Sequence, residues 1–172
     1  GAVNDKSSSS TIIPDNAGGL FNVHAFSGTP VLQRIGAGGI PGWTTPGISI
    51  DNVSGWGQYP RIAPDGAGGC VVAYFGPYGV LRAGRLNGGG SAQWSGTWVP
   101  LQSAYYAQAM EMVATTDQHF IVVWQSNNEV GDDLHAQRFD VQGALGAPEP
   151  VMTGVRDVRN DQGGRVRVSW NR

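Results

Sequence analysis

The feature that most constrains this chain is an internal repeat of about fifty residues. Three segments align without gaps at that spacing: DNAGGLFNVH from Asp15, DGAGGCVVAY from Asp65 and TTDQHFIVVW from Thr115. Each ends in one shared column, which holds His24, Tyr74 and Trp124. Repeats of this length are typical of folds assembled from consecutive similar units.

The second half of each copy also aligns, with small insertions between copies. One column holds Arg34, Arg85 and Arg138. Nine residues later, Trp43 and Trp94 are equivalent, and the third copy has Ala147 at that place. The alignment therefore predicts three structural units, over residues 1–50, 51–103 and 104–154.

Each unit has the pattern of short strands joined by tight turns. Its Asp-Gly and Gly-Gly stretches suit hairpin turns with positive φ. The run that follows, LFNVHAF, CVVAYF or FIVVWQ, is rich in β-branched and aromatic residues. We expect about four strands in each unit and an all-β fold.

The best-formed copy runs from Tyr59 to Gly69 with the sequence YPRIAPDGAGG, and AQRF begins at Ala136 in the third copy. This pattern resembles the β-propeller repeats of large secreted bacterial proteins. The resemblance implies a partial propeller of about three four-stranded blades, cut from a longer chain. It also implies an extracellular or cell-surface location and a non-enzymatic structural, adhesive or binding role.

Residues 155–172 depart from this pattern and have two interpretations. They resemble the opening strands of a fibronectin-III or immunoglobulin-like domain. The segment from Asp161 to Trp170 also aligns without gaps with Asp65 to Tyr74, which predicts a fourth blade.

The composition argues against partners that require strong charge or long apolar segments. The net charge is -2, and charged residues make up 14% of the chain, so we expect no nucleic-acid binding. No segment has the roughly 18 consecutive apolar residues of a membrane-spanning helix, so we expect no membrane insertion. Cys70, the single cysteine, lies in an apolar run and is predicted to be a buried, inert thiol.

The sequence contains none of the motifs that identify common catalytic sites, such as a nucleophile elbow, a zinc-binding HExxH or a phosphate-binding loop. We therefore predict neither intrinsic catalysis nor a cofactor. The histidines are dispersed, and only His119 and His135 are candidates for a metal pair, across one hairpin. Two alternatives are a carbohydrate-binding, lectin-like propeller and an accessory propeller of a secreted hydrolase whose catalytic residues lie outside this chain.

Two groups of residues are candidate binding sites. The first comprises aromatic residues in loops and at strand ends, which could stack on sugar rings in a lectin-like propeller: Trp56, Tyr59, Tyr78, Trp98, Tyr105 and Tyr106. The second is the acidic loop with Glu129, Asp132 and Asp133, a weak candidate for a calcium site because its spacing is not that of an EF-hand.

Three blades do not close a ring, so we expect partners at both ends. These are the remaining blades of the same protein, further copies of this chain, or another protein, with glycans as a further class of ligand. Uncovered apolar faces mark interaction surfaces. We expect them on the first unit near Ile12, Phe21 and Val23, and on the third near Ile121, Val123 and Phe139.

Overall fold

The computed structural model describes residues 10–26, 29–49, 58–76, 79–94, 99–103, 107–128, 131–146, 151–157 and 166–171. In these ranges the chain forms thirteen strands. They are β1 (Thr11–Pro14), β2 (Leu20–Phe26), β3 (Thr29–Ile35), β4 (Ile48–Ser49), β5 (Gln58–Pro64), β6 (Cys70–Phe75), β7 (Val80–Leu86), β8 (Val99–Ser103), β9 (Ala107–Ala114), β10 (His119–Asn128), β11 (Gly131–Asp140), β12 (Val151–Asp157) and β13 (Val166–Asn171).

The strands form antiparallel sheets, so the predicted all-β fold is confirmed for the described ranges. The first sheet has the order β1-β2-β3-β4, the second β5-β6-β7-β8 and the third β11-β10-β9, while β12 pairs with β13. Each of the first three sheets lies inside one of the units expected from the repeat. By spacing, β12 is the counterpart of β8, yet it pairs with β13, and the expected boundary at residue 154 falls inside it.

The three repeats have the same backbone pairing. His24, Tyr74 and Trp124 all lie on the second strand of their sheets, opposite Val31, Arg82 and His135 respectively. After each third strand, the same isolated bridge recurs: Ile35 with Pro41, Leu86 with Ala92 and Phe139 with Leu145. The register inferred from the sequence is therefore the register of the fold.

The second sheet lies between the first and the third, because β5 packs against β1 and β2 on one side and against β9 on the other. All six residues of β6, CVVAYF, are buried. Cys70, Val72 and Tyr74 belong to the apolar cluster shared with the first sheet. Val71, Ala73 and Phe75 belong to the cluster shared with the third. A strand covered on both faces needs no polar alternation, which explains this continuous apolar run.

The strand pattern placed the outward faces of the first and third sheets near six residues without saying which side chains point outward. Ile12 is 61% exposed, and Ile121 and Val123 are half-buried. Phe21, Val23 and Phe139 are fully buried. Side chains alternate along a strand, and these three point towards the second sheet, where they join the two clusters.

The same alternation explains why the three residues of the shared column, His24, Tyr74 and Trp124, differ in burial. Tyr74 and Trp124 are buried, with 0% and 2% exposure, because each faces the preceding sheet. His24 faces away from the second sheet and is only half-buried. The column is therefore shared in position, as predicted, but full burial does not extend to His24.

We expect Trp124→Ala to lower the free energy of unfolding by about 3–5 kcal/mol, because it leaves a large cavity between the second and third sheets. His24→Ala, in the same column but on an outward face, is the matched control and is expected to cost less than about 1 kcal/mol. Urea unfolding followed by fluorescence and circular dichroism measures both. Equal losses of unfolding free energy in the two variants would contradict the assignment of Trp124 to a covered sheet face and of His24 to an outward one.

Candidate functional site

The first turn of each sheet, between its first and second strands, is built around a carboxylate. In the first sheet, Asp15 Oδ1 accepts hydrogen bonds from the backbone N–H groups of Ala17 and Gly19, both at 2.8 Å. Its Oδ2 accepts two from Arg34, from Nε at 3.0 Å and from Nη2 at 2.9 Å. The Asp and Arg columns of the repeat are thus partners in one ion pair.

The second sheet repeats this arrangement. Asp65 accepts hydrogen bonds from Ala67 and Gly69 at 2.8 Å and pairs with Arg85 at 2.9 Å. A Cβ atom on Gly69 would lie 2.2 Å from the carbonyl oxygen of Leu86 and 2.8 Å from Asp65 Oδ2. Glycine is therefore required beside the buried carboxylate.

The third sheet builds the turn from different residues. Thr115 stands in the Asp column and His119 in the column of Gly69. The carboxylate comes instead from Asp117, which pairs with Arg138 at 2.5 Å and accepts a hydrogen bond from the Thr115 hydroxyl. The ion pair is thus retained although the aspartate has moved two positions along the chain.

Hydrogen bonds and the neighbouring arginine lower the pKa values of two of these carboxyl groups. The backbone N–H of Ala17, together with Arg34, lowers the pKa of Asp15 below its usual range. The Thr115 hydroxyl, together with His119 and Arg138, lowers the pKa of Asp117. Both groups are held as carboxylates by the folded chain.

The same arginines also connect neighbouring sheets. Arg34 Nη1 donates to the carbonyl oxygen of Gly88 at 3.1 Å, and Trp43 Nε1 donates to that same oxygen at 3.2 Å. One sheet further on, Arg85 and Trp94 donate to the carbonyl oxygen of Val141, at 3.3 and 2.9 Å. We call this arrangement the Arg-Trp clamp: an arginine and a tryptophan of one sheet on one carbonyl oxygen of the next.

The first turns of the three sheets converge on a groove of about 340 Å³, here called the turn groove. Its lining includes exposed amide and hydroxyl side chains beside apolar groups: Asn16, Pro64, Gly66, Thr116, Gln118 and Phe120. Such a surface can hydrogen-bond a polar ligand and contact its apolar side. The groove could not be predicted from the sequence, because its residues come from three turns about fifty positions apart.

The predicted aromatic site cannot be assembled from the described residues. Trp56, Tyr78, Trp98, Tyr105 and Tyr106 lie outside them. Tyr59 is half-buried and packs edge-on against Phe75, with ring centroids 6.4 Å apart. In this position Tyr59 contributes to the core between the second and third sheets.

The histidines do not come together. His135 lies opposite Trp124, five ladder positions from His119, which lies opposite Asp140; this separation is about 16 Å along the strand. His135 stacks on Trp124 and makes a 2.7 Å hydrogen bond with Ser126 through Nε2. The two histidines therefore do not form a metal pair across this hairpin.

The remaining predicted groups are only partly described. Glu129 lies outside the described residues, and for Asp132 and Asp133 the structure gives the backbone alone, in β11 opposite Asn127 and Ser126. In the described part of the chain, no three His, Cys, Asp or Glu side chains are grouped as metal ligands would be. Cys70 is fully buried, and burial raises the pKa of its thiol, as expected for an inert cysteine.

Comparison of the sequence with protein-family models and with curated proteins gives no match. Within the described ranges, no helix has the length and apolar character needed to cross a lipid bilayer.

We expect Asp15→Asn to lower the melting temperature at pH 7, because the amide carries no charge to pair with Arg34. Since the pKa of Asp15 is lowered by folding, its contribution is present above the usual value of 3.8 and is lost as the pH falls through the lowered pKa. The variant should therefore show a shallower fall in melting temperature over this acidic range. Thermal melts by circular dichroism between pH 7 and pH 2 measure both effects.

Asp140→Asn is the matched control for neutral pH. Asp140 accepts hydrogen bonds from Gln142 and Ala144 in the next turn of the third sheet. Asn87 makes the same two bonds in the second sheet, so the substitution should leave the melting temperature at pH 7 unchanged. An Asp15→Asn curve that runs parallel to that of the unsubstituted chain would contradict the assigned ion pair.

Removal of divalent cations is expected to leave the melting temperature unchanged. The described carboxylates Asp15, Asp65 and Asp117 are already neutralised by arginines. Elemental analysis, with melts in the presence and absence of a chelator, checks this. A stoichiometric metal whose removal destabilises the chain would refute it, and alanine variants of Glu129, Asp132 and Asp133 would then locate the site.

Proposed function

We propose that this chain is a non-enzymatic structural or adhesive module, made of consecutive blades of an extracellular β-propeller. The observation that carries the proposal is the Arg-Trp clamp, which joins the first sheet to the second and the second to the third with equivalent atoms. The same arginine and tryptophan columns make this contact at both sheet-to-sheet interfaces. Such recurrence is typical of repeat proteins, in which each unit packs against the next in the same way.

The packing of the sheets supports the propeller form of that architecture. In propellers, four-stranded sheets stack face to face around an axis, with their first strands innermost. Here the first strand of the second sheet, β5, packs against both of its counterparts, β1 and β9. The extracellular location rests on the resemblance of residues 59–69 to secreted repeats.

The chemistry of the described side chains supports a non-catalytic role. Asp15, Asp65 and Asp117 are each bound to an arginine of their own sheet. His135 stacks on a buried tryptophan, and Cys70 is buried. These groups are used to build the sheets. The alternative of an accessory propeller of a hydrolase places the catalysis in residues outside this chain.

The turn groove favours a second candidate function, glycan binding. Asn16, Thr116 and Gln118 offer exposed amides and a hydroxyl, and the half-buried Pro64 provides apolar surface. Sugars present hydroxyl groups and apolar faces that match such a lining. This candidate uses different residues from the aromatic set predicted from the sequence.

A glycan array and a panel of glycoside and ester substrates distinguish these functions. For a scaffold we expect neither glycan binding nor turnover. Glycan binding that is lost in Thr116→Trp, which fills the groove, but kept in Ser91→Trp, at an exposed site in another turn, would favour the lectin-like function. Turnover by the purified chain would refute the proposal of a non-enzymatic module.

A further inference from the structure

The second turn of each sheet, which follows its third strand, is the acceptor of the Arg-Trp clamp. In the second sheet this turn is Asn87–Gly90, and its acceptor is the carbonyl oxygen of Gly88. In the third sheet it is Asp140–Gly143, and the acceptor is the carbonyl oxygen of Val141. In each turn, the tryptophan that donates belongs to the preceding sheet.

A glycine in each turn makes room for the indole ring. A Cβ atom on Gly90 would lie 3.2 Å from atoms of the Trp43 ring, and one on Gly143 would lie 3.1 Å from atoms of the Trp94 ring. Both glycines have positive φ, 87° and 83°. The turn therefore forms a seat for an indole, with a carbonyl oxygen for its N–H and a glycine beneath its ring.

The first sheet has the same turn, at Gly36–Gly39. Gly39 donates to the carbonyl oxygen of Gly36 at 2.9 Å, as Gly90 does to that of Asn87. Gly39 has a φ of 75°, and a Cβ atom placed on it would meet no described atom within 4 Å. Ala37 stands in the column of Gly88 and Val141, and it is exposed. The surface above this turn is thus open in the described part of the chain.

We propose that the Gly36–Gly39 turn binds the tryptophan and arginine of a further β-sheet of this repeat type, brought by a partner. The carbonyl oxygen of Ala37 accepts from the indole N–H and the guanidinium, and the ring lies over Gly39. The inference rests on the proposed function, since it extends the stacking of sheets by one unit. The partner is recognised by an arginine followed nine residues later by a tryptophan, the spacing of Arg34 and Trp43.

A second copy of this chain does not meet that requirement. Its third sheet brings Arg138 in the arginine column, but Ala147 stands nine residues later. The preceding residue, Gly146, donates to the carbonyl oxygen of Arg138 at 2.9 Å, as Gly42 and Gln93 do to their own arginines. The third sheet therefore shares the backbone hydrogen bonds that follow the third strand, up to residue 146, and its sequence has alanine where the other two copies have the donating tryptophan.

This difference provides the experiment. The Ala147→Trp variant supplies the missing indole, so that the third sheet of one copy becomes a partner for the first sheet of another. We expect its self-association, measured by light scattering and sedimentation over a concentration series, to be at least tenfold tighter than that of the unsubstituted chain. The control is Ala144→Trp, which adds an indole at an exposed position of the same region outside the column and should not tighten association.

A second pair of variants tests the acceptor. Gly39→Asn in the Ala147→Trp background places a side chain over the seat in a residue type that tolerates positive φ, and should abolish the gain. Gly66→Asn is the matched control, because Gly66 has a φ of 74°, is equally open, and corresponds to Asn16 of the first sheet. It should keep the gain.

Several outcomes would overturn the indole site: no tighter association in Ala147→Trp, an equal gain in Ala144→Trp, a gain that survives Gly39→Asn, or a gain lost equally in Gly66→Asn. None of these depends on glycan binding or turnover, the measurements that test the proposed function. The two proposals can therefore fail separately.

Discussion

The ion pair between the first turn and the third strand of each sheet organises the rest of the structure. In the first two sheets the carboxylate closes its own turn through two backbone N–H groups, and it also holds the guanidinium in a fixed orientation. With Nε of the arginine bound to the carboxylate, Nη1 of Arg34 and Arg85 is directed at the next sheet. One arginine therefore fixes the local turn and the stacking of neighbouring sheets. An ion pair of this kind contributes geometry more than net stability, because burying the charges offsets much of their attraction.

Much of the fold could be predicted from the sequence because the repeat fixes the register. The columns of the alignment became the columns of the sheets, and the run CVVAYF, predicted to be a strand, is β6. The direction of each side chain could not be predicted, because alternation gives two faces without saying which one meets a neighbour. This is why Phe21 and Val23 could be placed near the open face of the first sheet but not assigned a direction, and in the structure they pack against the second sheet.

The candidate site was less predictable than the fold. The Asp and Arg columns were visible, but the third copy hid their relation, because Thr115 replaces the aspartate and Asp117 performs its role. The turn groove carries no local motif, since residues such as Asn16 and Gln118 look like ordinary turn residues, and both have positive φ. The spacing between aspartate and arginine, which stays near twenty residues in all three copies, was the signal available in the sequence.

The position of the second sheet has a consequence for how the chain comes apart. Its strand β6 has no solvent-facing side, so it cannot be exposed unless a neighbouring sheet first separates from it. Among the described residues, the first and third sheets each pack against one neighbouring sheet, the second, and either can detach while the other two stay together. In stacked repeats, unfolding proceeds by the loss of such end units. Among the described strands of the three sheets, the backbone amides of β6 are thus the last to become accessible to solvent, and they report the stability of the stacked sheets.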